Sequence, residues 1–438
     1  MIEKEVPRNT FIKWIGIGLL LRFIFMPISA APDLLWFYWR AHLIVYHHEF
    51  SLGASQLLLH YIHAFFLWIF TPLMPYYETI WTHPWTPTHP NTPAEIERMF
   101  STFFTFVSRP HIFRTLFLLK FPFLLFDFGC LFFLNRLATD SRKRLFLFKF
   151  WMINPVSIFV VYIYGRFEVI PIFFILGSLY YVKSKRFYLA LLMLGISAAL
   201  RLYPLILFIP AIIILGKNTR ERLRLIFWGL LPLGIMAVFA ALLGQQSEVG
   251  QLMGNPLVDY FLSMNFNLGL RDNVYIFIVG YTFLIFHAYY HRGEFKPFEG
   301  ILKYSLSIFL LFFATSFFHR QFFMWTIPFL GLYILEDKRF LGLFIIQVFT
   351  YFIYTLYGGR LTAGYLFTPL NLEYFINLPS PVEVMRRFFE PYKVIAIFRS
   401  VFSAVNLYMI YLIFKQESRK LTTEGPERVC GKVFKKGT

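Results

Sequence analysis

Asp33 stands directly after the first hydrophobic segment, residues 11–30, between Pro32 and the aromatic run Leu34, Leu35, Trp36, Phe37, Tyr38, Trp39 and Arg40. Its short reach and negative charge suit a general base that accepts a proton from a hydroxyl. The same carboxylate could act as the N-cap of the helix that the aromatic run predicts, and the two roles are compatible. Arg166 and Arg201 carry guanidinium forks that match phosphate oxygens two at a time, or else they snorkel toward lipid headgroups. Glu168 is spaced to pair with Arg166 or to contact a sugar. His319, Arg320 and Gln321 put hydrogen-bond donors directly before Phe322, Phe323, Met324 and Trp325, unless the segment is an ordinary structural turn. Arg360 completes the set of polar residues predicted at one end of the chain's helices.

The elements that must position these groups are apolar. Of 438 residues, 58% are hydrophobic and only 15% charged, with a mean hydropathy of +0.58. Repeated apolar runs exclude an ordinary soluble globule and predict an all-α polytopic membrane protein. The 42 basic and 24 acidic residues leave +18. The basic residues gather in short loops between apolar runs, which is the positive-inside pattern and not a nucleic-acid footprint.

Along the chain the runs are 11–30, 112–134, 145–164, 169–181, 187–200 and 205–215, followed by further runs up to the tail. The connections around Arg142, Lys185, Arg220, Arg292, Lys338 and Lys415 are basic. This alternation predicts about 12 transmembrane helices in a single integral membrane domain, 1–438, with both termini on the cytoplasmic side. Residues 31–111 are read as a long first extracytoplasmic loop with interfacial helices, including the apolar stretch 57–73. Residues 415–438 form a basic cytoplasmic tail. Arg22 interrupts the first apolar run, which favours a retained span over a cleaved signal peptide. The segments around Pro204 are expected to be short, tilted or broken.

A charged side chain near a helix centre costs about 2.5–3.5 kcal/mol on insertion scales, so such residues usually face a cavity or each other. Asp33, Arg166, Glu168, Arg201, His319, Arg320, Gln321 and Arg360 come from distant parts of the chain yet fall on one predicted face, which suggests a shared polar site. Asp127, inside a span and near Lys120, is read as an intramembrane packing partner. His42, His47, His48, His60, His63, His83 and His89 lack the tight spacing of a zinc site, so no metal ligands are assigned. Cys130 lies in an apolar span and Cys430 in the tail, too differently placed to predict a disulfide.

The segments Trp151-Met152-Ile153-Asn154-Pro155, Tyr164-Gly165-Arg166-Phe167-Glu168-Val169-Ile170-Pro171, Arg201-Leu202-Tyr203-Pro204 and His319-Arg320-Gln321-Phe322-Phe323-Met324-Trp325 occur in that order. Together with Lys120-Phe121-Pro122 and Asp127, they resemble the GT-C superfamily of multi-span glycosyltransferases. The likeness is to the lipid-phosphate-mannose-using branch that includes the first GPI mannosyltransferases and prokaryotic relatives, and it covers most of residues 20–335. The resemblance implies a first outer loop with interfacial helices and an acid acting at the acceptor hydroxyl, which falls on Asp33. It implies a polyprenyl- or dolichyl-phosphate sugar donor, a glycolipid or glycan acceptor, and inversion at the anomeric carbon. Many members carry Asp-x-Asp there; this chain has Leu35 at the second position, so a metal held between two carboxylates is not expected and no cofactor is assigned.

The resulting expectation is a glycosyltransferase, with mannose the first sugar to test, in a plasma membrane if prokaryotic or the endoplasmic reticulum if eukaryotic. The alternatives are a flippase or transporter of lipid-linked sugars, which needs polar residues through the bilayer midplane, and a scaffold subunit without activity of its own.

Overall fold

The computed structural model describes residues 7–52, 56–78, 81, 92–245, 256–269 and 272–423. The Pro-rich run at 82–87, His83, His89 and Cys430 lie outside the described residues.

The chain is a helical, multi-pass integral membrane protein. Helices dominate because every backbone donor and acceptor must find its partner within the segment when lipid surrounds it. They run α1 (Arg8–Ile28), α2 (Pro32–His47), α3 (Leu57–Phe70), α4 (Pro93–Val107), α5 (Ile112–Leu137), α6 (Ser141–Met152) and the single turn α7 (Pro155–Ser157), which continues into a π-helical stretch, Ile158–Ile163. There follow α8 (Val169–Lys183), α9 (Phe187–Leu200), a 3-10 turn Tyr203–Leu207, α10 (Phe208–Leu215), α11 (Thr219–Leu242) and α12 (Pro256–Phe261). After α13 (Ile276–Tyr290) and α14 (Pro297–Thr315) comes a 3-10 segment, Arg320–Thr326. The chain ends in α15 (Ile327–Glu336), α16 (Arg339–Thr355), 3-10 turns at Leu356–Thr362 and Gly364–Phe367, α17 (Leu372–Asn377), α18 (Pro381–Met385) and α19 (Pro391–Thr423).

Among the described residues, seven helical stretches are long and apolar enough to cross a membrane: Arg8–Ile28, Ile112–Leu137, Ser141–Ile163, Thr219–Leu242, Pro297–Thr315, Arg339–Thr362 and Pro391–Lys415. Five more, Leu57–Leu73, Val169–Lys183, Phe187–Leu200, Tyr203–Leu215 and Ile276–Tyr290, are apolar but shorter. The expected count came from apolar runs, and several of those runs are shorter than the ~20 residues of an upright crossing. The break expected near Pro204 is present, since α9 stops at Leu200 and the chain passes through Tyr203–Leu207 before α10. The all-helical expectation misses one feature, an antiparallel hairpin of β1 (Asn265–Gly269) and β2 (Asp272–Tyr275).

Helix α9 packs between α8 and α11, and α19 packs against α14 and α16. Gly195 on α9 lies against the backbone carbonyl of Gly229 on α11, where a Cβ would collide. Small residues at such crossings let helices approach closely where lipid supplies no hydrophobic drive.

A fully enclosed polar group pins α1, α5 and the segment 141–163 together. Asp127 accepts from Arg22 Nε at 2.6 Å, Trp151 Nε1 at 2.6 Å and Tyr162 hydroxyl at 2.6 Å. Arg22 also donates to the carbonyls of Gly18 at 3.0 Å and Met152 at 2.7 Å. Asp127 is thus a packing partner, as expected, but Arg22 and not the neighbouring Lys120 is its counter-ion.

Candidate functional site

Asp33 reaches its position because α1 ends at Ile28 and the chain turns through extended Ser29 into α2. Pro32 opens α2, where its fixed φ and missing N–H cost nothing. Asp33 lies in the first turn, where the helix dipole favours a negative charge. It is not the N-cap: Ala31 holds that place, and no side chain caps the helix. The carboxylate is therefore free to face Arg166, whose Nη1 lies 3.1 Å from Asp33 Oδ2.

The sequence delivers Arg166 through an irregular path. Asn154 caps the turn after α6, its Oδ1 accepting from the backbone of Val156 at 3.0 Å and Ser157 at 3.2 Å. The π-helical stretch then ends with Tyr164 N donating to Phe159 O at 2.7 Å and Arg166 N to Val160 O at 3.0 Å. Between them Gly165 takes φ +78°, a conformation that side-chain-bearing residues adopt only with strain. Wide turns of this kind often mark functional sites.

Glu168 is wholly buried, and its Oε2 accepts from Trp325 Nε1 at 2.8 Å. Its Oε1 is 4.0 Å from Arg166 Nη2, so the Arg166 guanidinium lies between two carboxylates and nearer to Asp33. The expected Arg166–Glu168 pair is the looser of the two contacts. The Trp325 indole is stacked on Tyr203 with centroids 3.6 Å apart and planes at 6°, and on Phe322 at 4.4 Å and 20°. Arg201, extended at the end of α9, lays its guanidinium near the rings of Phe167 at 5.6 Å and Phe322 at 5.4 Å.

The 319–321 segment converges on the same place. His319 Nε2 shares a 2.6 Å hydrogen bond with the Tyr260 hydroxyl. Arg320 is buried, donates to Thr362 Oγ1 at 2.9 Å, and lies over the rings of Tyr164 at 5.2 Å and Tyr357 at 5.7 Å. Its backbone carbonyl accepts from Tyr351 hydroxyl at 2.5 Å. A Cβ at 358 would press into the Arg320 guanidinium, so any side chain there requires Arg320 to shift. Gln321 is buried in the same segment. Arg360 turns instead to Tyr365 at 3.4 Å and Glu383 at 3.6 Å.

The electrostatics follow from this crowding. The surrounding protein desolvates Asp33, which alone would raise its pKa. The positive charge of Arg166 outweighs this, with help from His319, a hydrogen bond from Tyr164, and Arg320, so the carboxyl sits below its ordinary range. The carboxylate nonetheless opens outward, with 41% of the side chain exposed. Burial pushes His319 down to about 4, so its imidazole is neutral at physiological pH. Burial raises the Tyr164 hydroxyl, and the neighbouring Asp33 raises it further. Arg320 stays a cation: burial opposes its charge, but Tyr164, Tyr357, Tyr351 and Asp33 favour it.

Seven expected residues, Asp33, Arg166, Glu168, Arg201, His319, Arg320 and Gln321, are thus linked by direct contacts, shared rings or adjacent backbone. Tyr164, Tyr203 and Trp325 lie inside the segments singled out in the sequence but carried no assigned role. Tyr260, Tyr357 and Thr362 gave no sequence signal, because only tertiary folding brings them to His319 and Arg320. Among the described residues no three His, Cys, Asp or Glu side chains are grouped to hold a metal. His42 and His47 share a 3.2 Å contact, His60 contacts Arg40 at 3.3 Å, and His63 donates to the Leu59 carbonyl at 2.8 Å.

No family model matches the chain, and no solved structure matches it. A protein named GPI mannosyltransferase 1, from Eremothecium gossypii, is similar: 32% identical over 127 residues, which is 28% of this chain and 31% of that protein. The similarity therefore spans less than a third of either chain.

Proposed function

We propose that the chain is an inverting glycosyltransferase that moves a sugar, mannose in the first instance, from a polyprenyl- or dolichyl-phosphate to a hydroxyl of a glycolipid or glycan on the non-cytoplasmic face. The observation that carries this reading is the half-exposed Asp33 carboxylate held 3.1 Å from Arg166, with Arg320 and Arg201 close by. The partial likeness to a mannosyltransferase supports the sugar, and the resemblance of the motif order supports the GT-C fold. We read the seven long helices and the shorter apolar ones as about twelve crossings, with both termini cytoplasmic.

In this chemistry Asp33 takes the proton of the acceptor hydroxyl as its oxygen bonds to the anomeric carbon. The bond from that carbon to the phosphate oxygen breaks, and its electron pair leaves with the phosphate. Arg166, Arg201 and Arg320 would balance the departing charge. A donor phosphate arriving at Arg166 competes with Asp33 for the guanidinium and so raises the basicity of Asp33 when the substrate is in place. Alignment of hydroxyl and anomeric carbon supplies the rest. The lipid-flippase alternative gains no support from Arg22 and Asp127, which bond to each other, to the Trp151 and Tyr162 side chains and to backbone carbonyls.

The test is the purified chain in liposomes with a panel of labelled lipid-phosphate sugars, with and without chelator. Product from one donor, lost in Asp33→Asn while the protein stays folded, supports the proposal; equal turnover in Asp33→Asn removes Asp33 as the base, and no product from any donor removes the transferase reading.

A further inference from the structure

Lys120, in the middle of α5, is fully buried and takes no part in the chemistry above. Its ammonium donates to the backbone carbonyls of Ser29, of Phe25 at 3.4 Å and of Tyr162 at 2.7 Å. Three carbonyl acceptors match the three N–H donors of an ammonium; a neutral amine has only two. Ser29 Oγ, itself 3.4 Å from Lys120 Nζ, donates to Phe25 O at 2.7 Å and lies 3.1 Å from Tyr162 O. The side-chain stem of Lys120 also lies beneath Gly165, in van der Waals reach of the space a Cβ there would fill.

These carbonyls belong to the ends of two elements. Phe25 lies in the last turn of α1 and Ser29 directly follows it; Tyr162 is near the end of the π-helical stretch. A cation is favoured where helices leave carbonyls unpaired. Four residues beyond Ser29 is Asp33, and four beyond Tyr162 is Arg166. One ammonium therefore fixes the distance between the two strands of chain that carry the candidate base and its guanidinium partner. One layer deeper, Tyr162 hydroxyl bonds Asp127, which ties the same stretch to Arg22 on α1.

We infer that Lys120 is a positioning residue: with Ser29 it staples the end of α1 to the π-helical stretch and thereby sets the Asp33–Arg166 pair. The inference rests on the proposed transferase reading only for its kinetic readout. A purely structural lysine would lower stability and leave the pair as it was. A positioning lysine changes the pair in molecules that remain folded.

The experiment compares Lys120→Met, Lys120→Arg and Ser29→Ala with the intact protein in detergent and in liposomes, with Asp33→Asn alongside. Infrared difference titration follows the Asp33 carboxyl, identified as the band absent in Asp33→Asn. The groups that face this carboxyl are Arg166, His319, Tyr164 and Arg320. In Lys120→Met the band should titrate at higher pH, and kcat per folded molecule should fall about 10²-fold, the scale of a 1 Å misplacement, with a much smaller change in KM for the donor. Ser29→Ala should shift both in the same direction by less, and Lys120→Arg should recover part of the loss. Should Lys120→Met fail to fold, Ser29→Ala decides, because it removes only a hydroxyl. Folded variants whose Asp33 band and kcat equal those of the intact protein overturn the inference. Turnover in Asp33→Asn would instead remove Asp33 as the base, absence of product from every donor would sink the transferase reading, and in either case the infrared shift would still decide the role of Lys120.

Discussion

Two of the molecule's acid–arginine pairs, Asp127–Arg22 and Asp33–Arg166, have opposite characters. Asp127 is almost without exposed surface and is saturated by Arg22, Trp151 and Tyr162, all at 2.6 Å. Asp33 meets Arg166 at 3.1 Å, keeps 41% of its side chain exposed, and faces a neutral histidine and a second arginine. In a low-dielectric interior an ion pair is tolerable when its oxygens and N–H groups find partners; both Asp127 oxygens do, and Arg22 leaves only its Nη2 unpaired. The second leaves capacity for a hydroxyl and a phosphate. On the proposed reading the first pair is a rivet and the second a reaction centre, set apart by the enclosed Asp127 and the exposed Asp33.

The comparison can be broken from either side. Asp33→Asn should reduce sugar transfer by about 10²–10⁴-fold, the usual worth of a positioned base, with only a small fall in melting temperature from the lost ion pair; labelled-product assay and thermal unfolding check this. Asp127→Asn should do the reverse. It leaves Arg22 charged in the interior and should destabilise by about 3–5 kcal/mol, seen as early aggregation on heating, while turnover per folded molecule falls far less than in Asp33→Asn.

A smaller effect is expected at the rim of the reaction centre. Trp325→Phe keeps the stack on Tyr203 and Phe322 but removes the donor to buried Glu168, costing about 1–3 kcal/mol as the carboxylate loses its partner. Thermal unfolding and donor KM should both report it. The smallest expected effect is that of pH. The Asp33 pKa is depressed in the folded protein, so its stabilising contribution is present above the unfolded value of about 3.9 and is lost as pH falls through the lower folded value. With His319 also pushed to about 4, kcat/KM should be flat from weakly acidic to neutral pH; a limb near the ordinary histidine value would show that His319 titrates in the reaction.

Much of this was legible in the chain itself. The boundaries of α5, α8 and α9 fall within a few residues of their apolar runs, because the length and composition of a lipid-facing helix are nearly its whole specification. The polar residues chosen from the sequence, Arg360 apart, come together because each interrupts or follows an apolar run, where a charge is costly without a purpose. Other features were hidden. Nothing local in Arg22 names Asp127 as its partner, 105 residues away. The N-cap expected of Asp33 moved to Ala31 because Pro32 takes the first helical position. The Tyr260–His319 bond and the room at Gly358 depend on loops whose paths no periodicity encodes.

Helix α9 has only 14 residues, about 21 Å at 1.5 Å per residue, against a hydrocarbon layer of roughly 30 Å. On the proposed reading, with Lys185 and Arg186 among headgroups at its start, Arg201 at its other end would sit below the opposite headgroup plane. The sugar would then react within the bilayer's depth, and transfer should run faster in thinner bilayers.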